Sequence, residues 1–164
     1  MVRPVVALLL VTVSLIAACT PQAGTLATGH TNLVGSFTEQ VPISNHPNHV
    51  LVGHLIDATR DGTRVRALII HQRRDGVHRL LMWEAWSYGI ELPFSNTILS
   101  SDGCYQRQCG DWPVGMIFLP EAAMEIGAEQ GVQARLLGRD GAIDIQVPAS
   151  LFQSLPQNPA HAAP

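Results

Sequence analysis

The chain has 164 residues and a formal net charge of −3 at pH 7, and all ten of its basic residues are arginine. An acidic balance gives no support to nucleic-acid binding, which needs a basic surface, so we expect no nucleic-acid partner. The length suits a single domain with its own hydrophobic core.

The first residues have the pattern of an export signal. Arg3 precedes a run over residues 5–18 that is apolar except for one Thr and one Ser. A short basic start followed by about 10–15 apolar residues is typical of a secretory signal peptide. The run is shorter than the stretch of about 20 apolar residues that a transmembrane helix needs. We therefore expect export rather than a membrane-spanning segment.

The signal ends in Ile16-Ala17-Ala18-Cys19, an aliphatic residue and two small residues before a cysteine. This sequence resembles the lipobox of bacterial lipoproteins, and the resemblance covers residues 1–19 only. It implies cleavage of a signal peptide at 1–18, a lipid thioether on Cys19 and acylation of the new amino terminus. Several acyl chains anchor stably, because each buried methylene contributes roughly 0.8 kcal/mol.

The residue after Cys19 bears on which membrane holds the anchor. Position 20 is Thr, whereas Asp there marks retention in the inner membrane of enterobacteria. The resemblance thus implies a lipid-anchored, periplasm-facing protein of the bacterial outer membrane, with the inner membrane as the alternative.

The mature chain divides into a tether, a domain and a tail. Residues 19–48 lack sustained periodicity and carry Gly, Pro, Ser, Thr and Asn, which predicts a flexible tether with, at most, a strand near Leu33–Phe37. Residues 156–164 predict a disordered tail. The globular, β-rich domain is predicted between them, over residues 49–155.

The tripeptide Arg-Asp-Gly occurs three times in this domain, each time between runs rich in Val, Ile and Leu. Asp-Gly between apolar runs favours a tight hairpin, because a type I′ turn needs φ > 0 at both central residues. The third copy predicts a hairpin of strands 132–137 and 142–147. The first two copies predict a meander of strands 49–59, 64–73 and 78–86.

The register of the first hairpin follows from a two-residue turn. It puts Asp57 opposite Arg66, a favourable cross-strand pair. Further along, the sequence predicts a strand at 115–119, a helix at about 120–130 and a short helix at 148–155. The predicted fold class is α+β: a small antiparallel β-meander or hairpin sheet with one or two short helices. A partly closed barrel or a sandwich is the alternative.

Cys104 and Cys109 stand in the polar stretch "DGCYQRQCGDW". Four intervening residues lie at the edge of what zinc sites use, and no second ligand pair is near in sequence. A thioredoxin-like redox pair has two intervening residues. With Cys19 committed to lipid, two cysteines remain for an oxidising compartment. We expect a structural disulfide, worth roughly 2 kcal/mol for a loop of about six residues; metal binding and redox chemistry are the alternatives.

Two histidines and a glutamate form the one catalytic hypothesis. In the predicted meander His54, His71 and Glu84 share a face, with His54 opposite Ile69 and His71 opposite Val52. Two His and a carboxylate are a recognised metal-site composition. However, His54 and Glu84 would lie two strands apart, about 9–10 Å. A periplasmic metal-assisted hydrolase that uses these three residues is the alternative function.

The leading hypothesis is non-catalytic. It assigns no catalytic residue, no metal ligand and no cofactor. Aromatic and arginine side chains are favoured at interfaces, so Tyr105, Arg107 and Trp112 on and beside the cysteine loop are the candidate partner-binding residues. The sequence predicts a lipoprotein that acts as a binding or assembly module of the bacterial envelope, with an envelope protein as its partner.

Overall fold

The computed structural model describes residues 24–28, 33–44, 46–73, 78–96 and 111–156. Eleven strands and two helices occur in this part of the chain. Their bounds are β1 Gly24–Thr28, β2 Leu33–Phe37, β3 Val41–Pro42, β4 Leu51–Arg60, β5 Thr63–Gln72, β6 Met82–Ser87, β7 Ile90–Leu92, β8 Phe94–Ser95, β9 Trp112–Phe118, α1 Glu121–Gln130, β10 Val132–Gly138, β11 Gly141–Val147 and α2 Ala149–Gln153.

The strands form two antiparallel sheets. The large sheet has the order β1-β2-β4-β5-β9-β8, and β3 also pairs with β4 beyond the end of β2. The small sheet has the order β11-β10-β6-β7. Neither sheet closes on itself within the described residues. The α+β prediction of antiparallel sheets with two short helices is confirmed.

The first Arg-Asp-Gly hairpin has the predicted register, with Asp57 opposite Arg66. Its turn residues Asp61 and Gly62 have φ of 48° and 79°, the left-handed values that a type I′ turn requires. The Asp57 carboxylate is buried, and Arg64 on β5 binds it in a bidentate manner, with the Nε–Oδ1 distance at 2.8 Å. The local turn chemistry therefore fixes the longest strand pair of the fold.

The predicted meander is wrong at its second step. β5 pairs with β9 rather than with β6, and β6 belongs to the small sheet, where it pairs with β10 and β7. The third predicted hairpin, of β10 and β11, is confirmed. β9 supplies a continuous apolar run, "VGMIF" at 114–118, beside the buried half of β5. β9 therefore pairs with the edge of β5 that the sequence assigns to the strand at 78–86.

The folded part of the chain begins earlier than residue 49. β1, β2 and β3 all lie between residues 24 and 42, inside the segment for which the sequence predicts a tether. β2 coincides with the strand expected near Leu33–Phe37, and Ser36 and Phe37 on it are buried. The prediction of a flexible tether over 19–48 is therefore wrong for β1, β2 and β3.

The main core lies between the two sheets and the helices. It takes Leu55 and Leu68 from the large sheet, Leu136 from the small sheet and Phe152 from α2. Gly127 inside α1 is explained by this packing, because a Cβ atom there would lie 2.6 Å from Cδ1 and Cζ of Phe152. A second buried cluster occupies the opposite face of the large sheet; it contains Phe37, Ile56, Ala58, Ala67, Ile69 and Met116.

Neither α1 nor α2, the helices of the described residues, is long and apolar enough to cross a membrane.

Candidate binding cleft

His54 and His71 come together as the first hairpin predicts. They lie on β4 and β5, opposite Ile69 and Val52 respectively. Their rings stack at 7° with centroids 5.7 Å apart. Burial, together with the neighbouring His71, lowers the pKa of His54 to about 3, and burial also lowers the pKa of His71. Both rings are thus neutral, packed side chains at neutral pH.

Glu84 does not join these histidines. It lies on β6 in the small sheet, and its Oε2 accepts a hydrogen bond of 3.1 Å from the indole Nε1 of Trp86. The predicted meander placed Glu84 on the same sheet face as His54. In the structure β6 does not pair with β5, so the two residues belong to different sheets. In the part of the chain that the structure describes, no group of three His, Cys, Asp or Glu residues is arranged to hold a metal ion.

Most of the residues predicted for lipidation, crosslinking and recognition lie outside the described residues: Cys19, Cys104, Cys109, Tyr105 and Arg107. Trp112 is described. It begins β9 opposite Gln72 of β5 and is half-buried. Trp112 thus lies at the start of a strand, directly after the segment that carries the two cysteines.

A second histidine group lies where the segment before β4 meets the start of the small sheet. The rings of His46 and His49 stack at 5.0 Å, and those of His49 and His78 meet edge to face at 5.1 Å. Fully buried Gln72 donates to the carbonyl of His78 at 2.7 Å and contacts Nδ1 of His49 at 3.3 Å. Burial and the two neighbouring histidines lower the pKa of His49. Within this group, His49 and Gln72 are buried.

The small sheet presents a cleft of about 430 Å³. Three strands build it, because β6 pairs with β10 and β10 with β11. Trp86 lies opposite Arg135, and Arg135 lies opposite Asp144, so these three side chains form one row across the sheet. The other lining residues are Ile43, Tyr88, Gln133, Ala134, Ile145 and Gln146.

The aromatic end of the cleft is the β6–β7 hairpin. Its turn consists of Tyr88 and Gly89, with φ of 49° and 81°, so the hairpin is again of the type I′ class. Tyr88 is 86% exposed. Trp86 is half-buried, and its indole N–H donates to Glu84, which fixes the ring at the cleft. The cleft thus has one oriented and one freely exposed aromatic side chain.

The polar part of the cleft is the ion pair of Arg135 and Asp144. Nε of Arg135 donates to Oδ1 of Asp144 at 2.6 Å, and Nη2 donates to Oδ2 at 2.9 Å. Hydrogen bonding to Asp144 raises the pKa of Arg135, and hydrogen bonding to Arg135 lowers the pKa of Asp144. Among the described residues that line the cleft, Asp144 is the only carboxylate, and it stays ionised at neutral pH. Such a carboxylate can accept hydrogen bonds but cannot act as a general acid.

The described residues of the cleft offer aromatic rings, a guanidinium, a carboxylate and two side-chain amides. Trp, Tyr and Arg are the residue types that dominate binding energy at protein interfaces. The amides of Gln133 and Gln146 add donors and acceptors that are still open to solvent. The sequence predicted none of Trp86, Tyr88, Arg135 and Asp144 as site residues. The Asp-Gly turn rule would have placed Arg135 opposite Gln146, whereas the turn at Arg139 and Asp140 places it opposite Asp144.

No known protein family matches the chain, and no curated protein or solved structure is significantly similar to it.

Proposed function

We propose that the protein is a lipid-anchored, non-catalytic binding module of the bacterial envelope, which holds a protein partner through the cleft of the small sheet. The anchor is Cys19 of the lipobox-like sequence, and the module faces the periplasm from the outer membrane. The function is assembly or attachment: one end is held in the bilayer by acyl chains, and the other end binds a partner.

The row Trp86–Arg135–Asp144 is the observation that carries this proposal. It combines an oriented indole ring with a guanidinium and a carboxylate that fix each other's geometry. A preformed row needs little ordering when a partner arrives, which lowers the entropic cost of binding. Tyr88 beside it adds exposed aromatic surface. Tyr and Trp are enriched in the buried centres of protein interfaces.

The chemistry of the cleft supports binding over hydrolysis. A hydrolase needs a group that gains and loses a proton near neutral pH, or a metal ion that activates water. Asp144, the carboxylate among the described lining residues, is instead held by two hydrogen bonds from Arg135. His54 and His71, the histidines of the hydrolase hypothesis, lie on the large sheet, and Glu84 is bound to Trp86.

In-cell photo-crosslinking tests the binding function. A photoreactive phenylalanine analogue replaces Tyr88 in one strain and Ile126 in another; Ile126 is an exposed apolar residue of α1, on a different element. We expect a discrete crosslinked envelope protein from position 88 and none from position 126. Equal crosslinking from both positions, or none from position 88, would contradict a site in the cleft.

The anchor is tested separately by Cys19→Ala. We expect the variant to lose the incorporation of radiolabelled palmitate and to accumulate as an uncleaved precursor. Normal mass and normal membrane fractionation of the variant would end the lipoprotein proposal while leaving the cleft untouched.

A further inference from the structure

The edge of the small sheet beside the cleft is formed by β11. β10 occupies one side of this strand, with seven residue pairs from Val132↔Val147 to Gly138↔Gly141. On the other side, the N–H of Gln146 donates to the carbonyl oxygen of Ile43 at 2.7 Å. Backbone groups of alternate residues point to the same side of a strand. Those of Ala142 and Asp144 therefore point away from β10, as those of Gln146 do.

The residues that carry these outward groups lie at the protein surface. Ala142, Asp144 and Gln146 are all exposed. Within the part of the chain that the structure describes, no backbone hydrogen bond reaches the outer side of Ala142 or Asp144. A row of such groups, repeating every two residues or about 6.8 Å, is a template for another extended chain.

The chain itself shows that this edge accepts backbone pairing. Ile43 lies in an irregular segment after β3, yet its carbonyl takes the position that a paired strand would occupy beside Gln146. Two of the outward-facing residues, Asp144 and Gln146, also line the cleft. The edge and the cleft are thus one continuous surface.

We propose that β11 is a docking edge at which an extended segment of the partner protein adds as a further strand of the small sheet. This inference rests on the proposed binding function of the cleft. Main-chain hydrogen bonds to Ala142 and Asp144 supply affinity, and alternate side chains of the added segment supply specificity. Every second side chain of the added segment would lie on the face of the small sheet that carries the cleft, next to the row Trp86–Arg135–Asp144.

A second copy of this chain is a poorer occupant than another protein. Antiparallel pairing of β11 with itself about its centre would bring the Asp144 side chains of the two copies close together. Like charges directly opposite each other destabilise a strand pair, and a charge on an edge strand is a common protection against self-association. A partner segment with a basic or neutral residue beside Asp144 has no such penalty.

Hydrogen exchange with a selected peptide tests the edge directly. Random peptides of about 12 residues, long enough to form one strand, are displayed on phage and selected against the full lipidated protein in detergent. With a selected peptide bound, we expect amide exchange at Ala142 and Asp144 to slow by about tenfold or more. Ile143, whose backbone faces β10, is the internal reference.

A matched pair of variants separates the backbone from the side chain. Ala142→Pro removes one outward N–H at an edge position, where proline is tolerated, and Ala142→Ser keeps it. We expect the Kd for the peptide to rise by about tenfold in A142P and to change by less than about twofold in A142S. Thermal unfolding of A142P checks its fold, and the exchange experiment on the unaltered chain does not depend on that variant.

Several outcomes would overturn the proposal. They are the failure to select any peptide, binding that leaves both amides unprotected, and equal affinities in A142P and A142S. A separate arm of the test adds soluble N-acetylated disaccharides of cell-wall glycan and follows the NMR signal of the Trp86 indole. If this signal shifts with the disaccharides and not with peptides, the ligand of the cleft is a glycan and the protein partner is ruled out. If the Tyr88 probe still captures a partner in cells carrying A142P, the binding function stands and only edge docking falls.

Discussion

Arg135 and Asp144 face each other across β10 and β11 and are joined by two parallel hydrogen bonds. They occupy a non-hydrogen-bonded position of the ladder, where opposite side chains approach most closely. Both side chains are largely exposed, at 58% and 70%. The pair therefore lies at the surface of the small sheet and is not part of the core.

Asp144→Asn should separate binding from stability. Exposed ion pairs contribute little to folding, so we expect thermal unfolding followed by circular dichroism to change little. Because the amide cannot hold Arg135 in the same bidentate geometry, capture of the partner by the Tyr88 probe should fall strongly. Glu129→Gln, on the exposed side of α1, is the control and should change neither property. A large loss of thermal stability in D144N would show that the pair is structural.

Asp57→Asn should behave in the opposite way. Asp57 is buried, receives two hydrogen bonds from Arg64 and lies 3.6 Å from Nε of Arg66. Arg66 is only 10% exposed. When Asp57 loses its charge, the ion pair with Glu121 is the one that Arg66 keeps among the described ion pairs. Because Arg64 remains partly solvated, we expect a loss of about 1–3 kcal/mol in the free energy of unfolding, below the range for fully buried pairs.

Denaturant unfolding measures this loss. Asp61→Asn is the matched control, since Asp61 is 67% exposed at the turn of the same hairpin, and it should change the free energy of unfolding little. Equal effects of D57N and D61N would contradict a structural role for the buried carboxylate.

Gly127→Ala tests the packing of α1 on α2. Alanine favours an exposed helix by up to about 1 kcal/mol over glycine. Here the added methyl would meet the ring of buried Phe152, and overpacking costs about 1–3 kcal/mol. We expect net destabilisation in denaturant unfolding. The double variant G127A/F152L should recover part of the loss; a stabilised G127A single variant would contradict this packing.

Stability should decrease as the pH falls from about 7 to about 5. The pKa of His54 in the folded protein is lowered to about 3, and that of His71 is also lowered, whereas both are near 6.5 in an unfolded chain. Below pH 6.5 the unfolded state therefore binds protons that the folded state does not. Each such histidine contributes a slope of up to about 1.4 kcal/mol per pH unit.

Unfolding free energies at a series of pH values measure this slope. His54→Leu fills the buried position with an apolar side chain that does not titrate. This variant should reduce the slope of unfolding free energy against pH between about pH 7 and pH 5. The carboxylates titrate mostly below this window, so they contribute little to it. A slope that is unchanged in H54L would contradict the assignment of a buried, neutral His54.

Local turn chemistry explains what the sequence could predict. Asp61-Gly62 defines the first hairpin, and the pairing of Asp57 with Arg66 follows from it. The third hairpin shows the limit of that rule, because its turn residues are Arg139 and Asp140, and the positive φ falls on Gly141. The same tripeptide thus gives two registers, which differ in where glycine takes the left-handed conformation.

Long-range pairing explains what the sequence could not predict. β5 pairs with β9 across some forty residues of chain, and Trp86 meets Arg135 across a similar distance. Strand patterns do not specify such partners, since several apolar strands compete for the same edge. The cleft depends on the long-range pair of β6 with β10, so the sequence did not predict how its residues come together.

The most direct test of the binding cleft compares two tryptophans of β6. Trp86 lines the cleft, whereas Trp83 is 53% exposed on the same strand and is not among the lining residues. The amount of partner crosslinked from position 88 is measured in W86A and W83A cells that contain equal amounts of the protein. We predict that W86A abolishes capture and that W83A retains it; capture that survives in W86A, or is lost equally in both, would contradict the binding cleft.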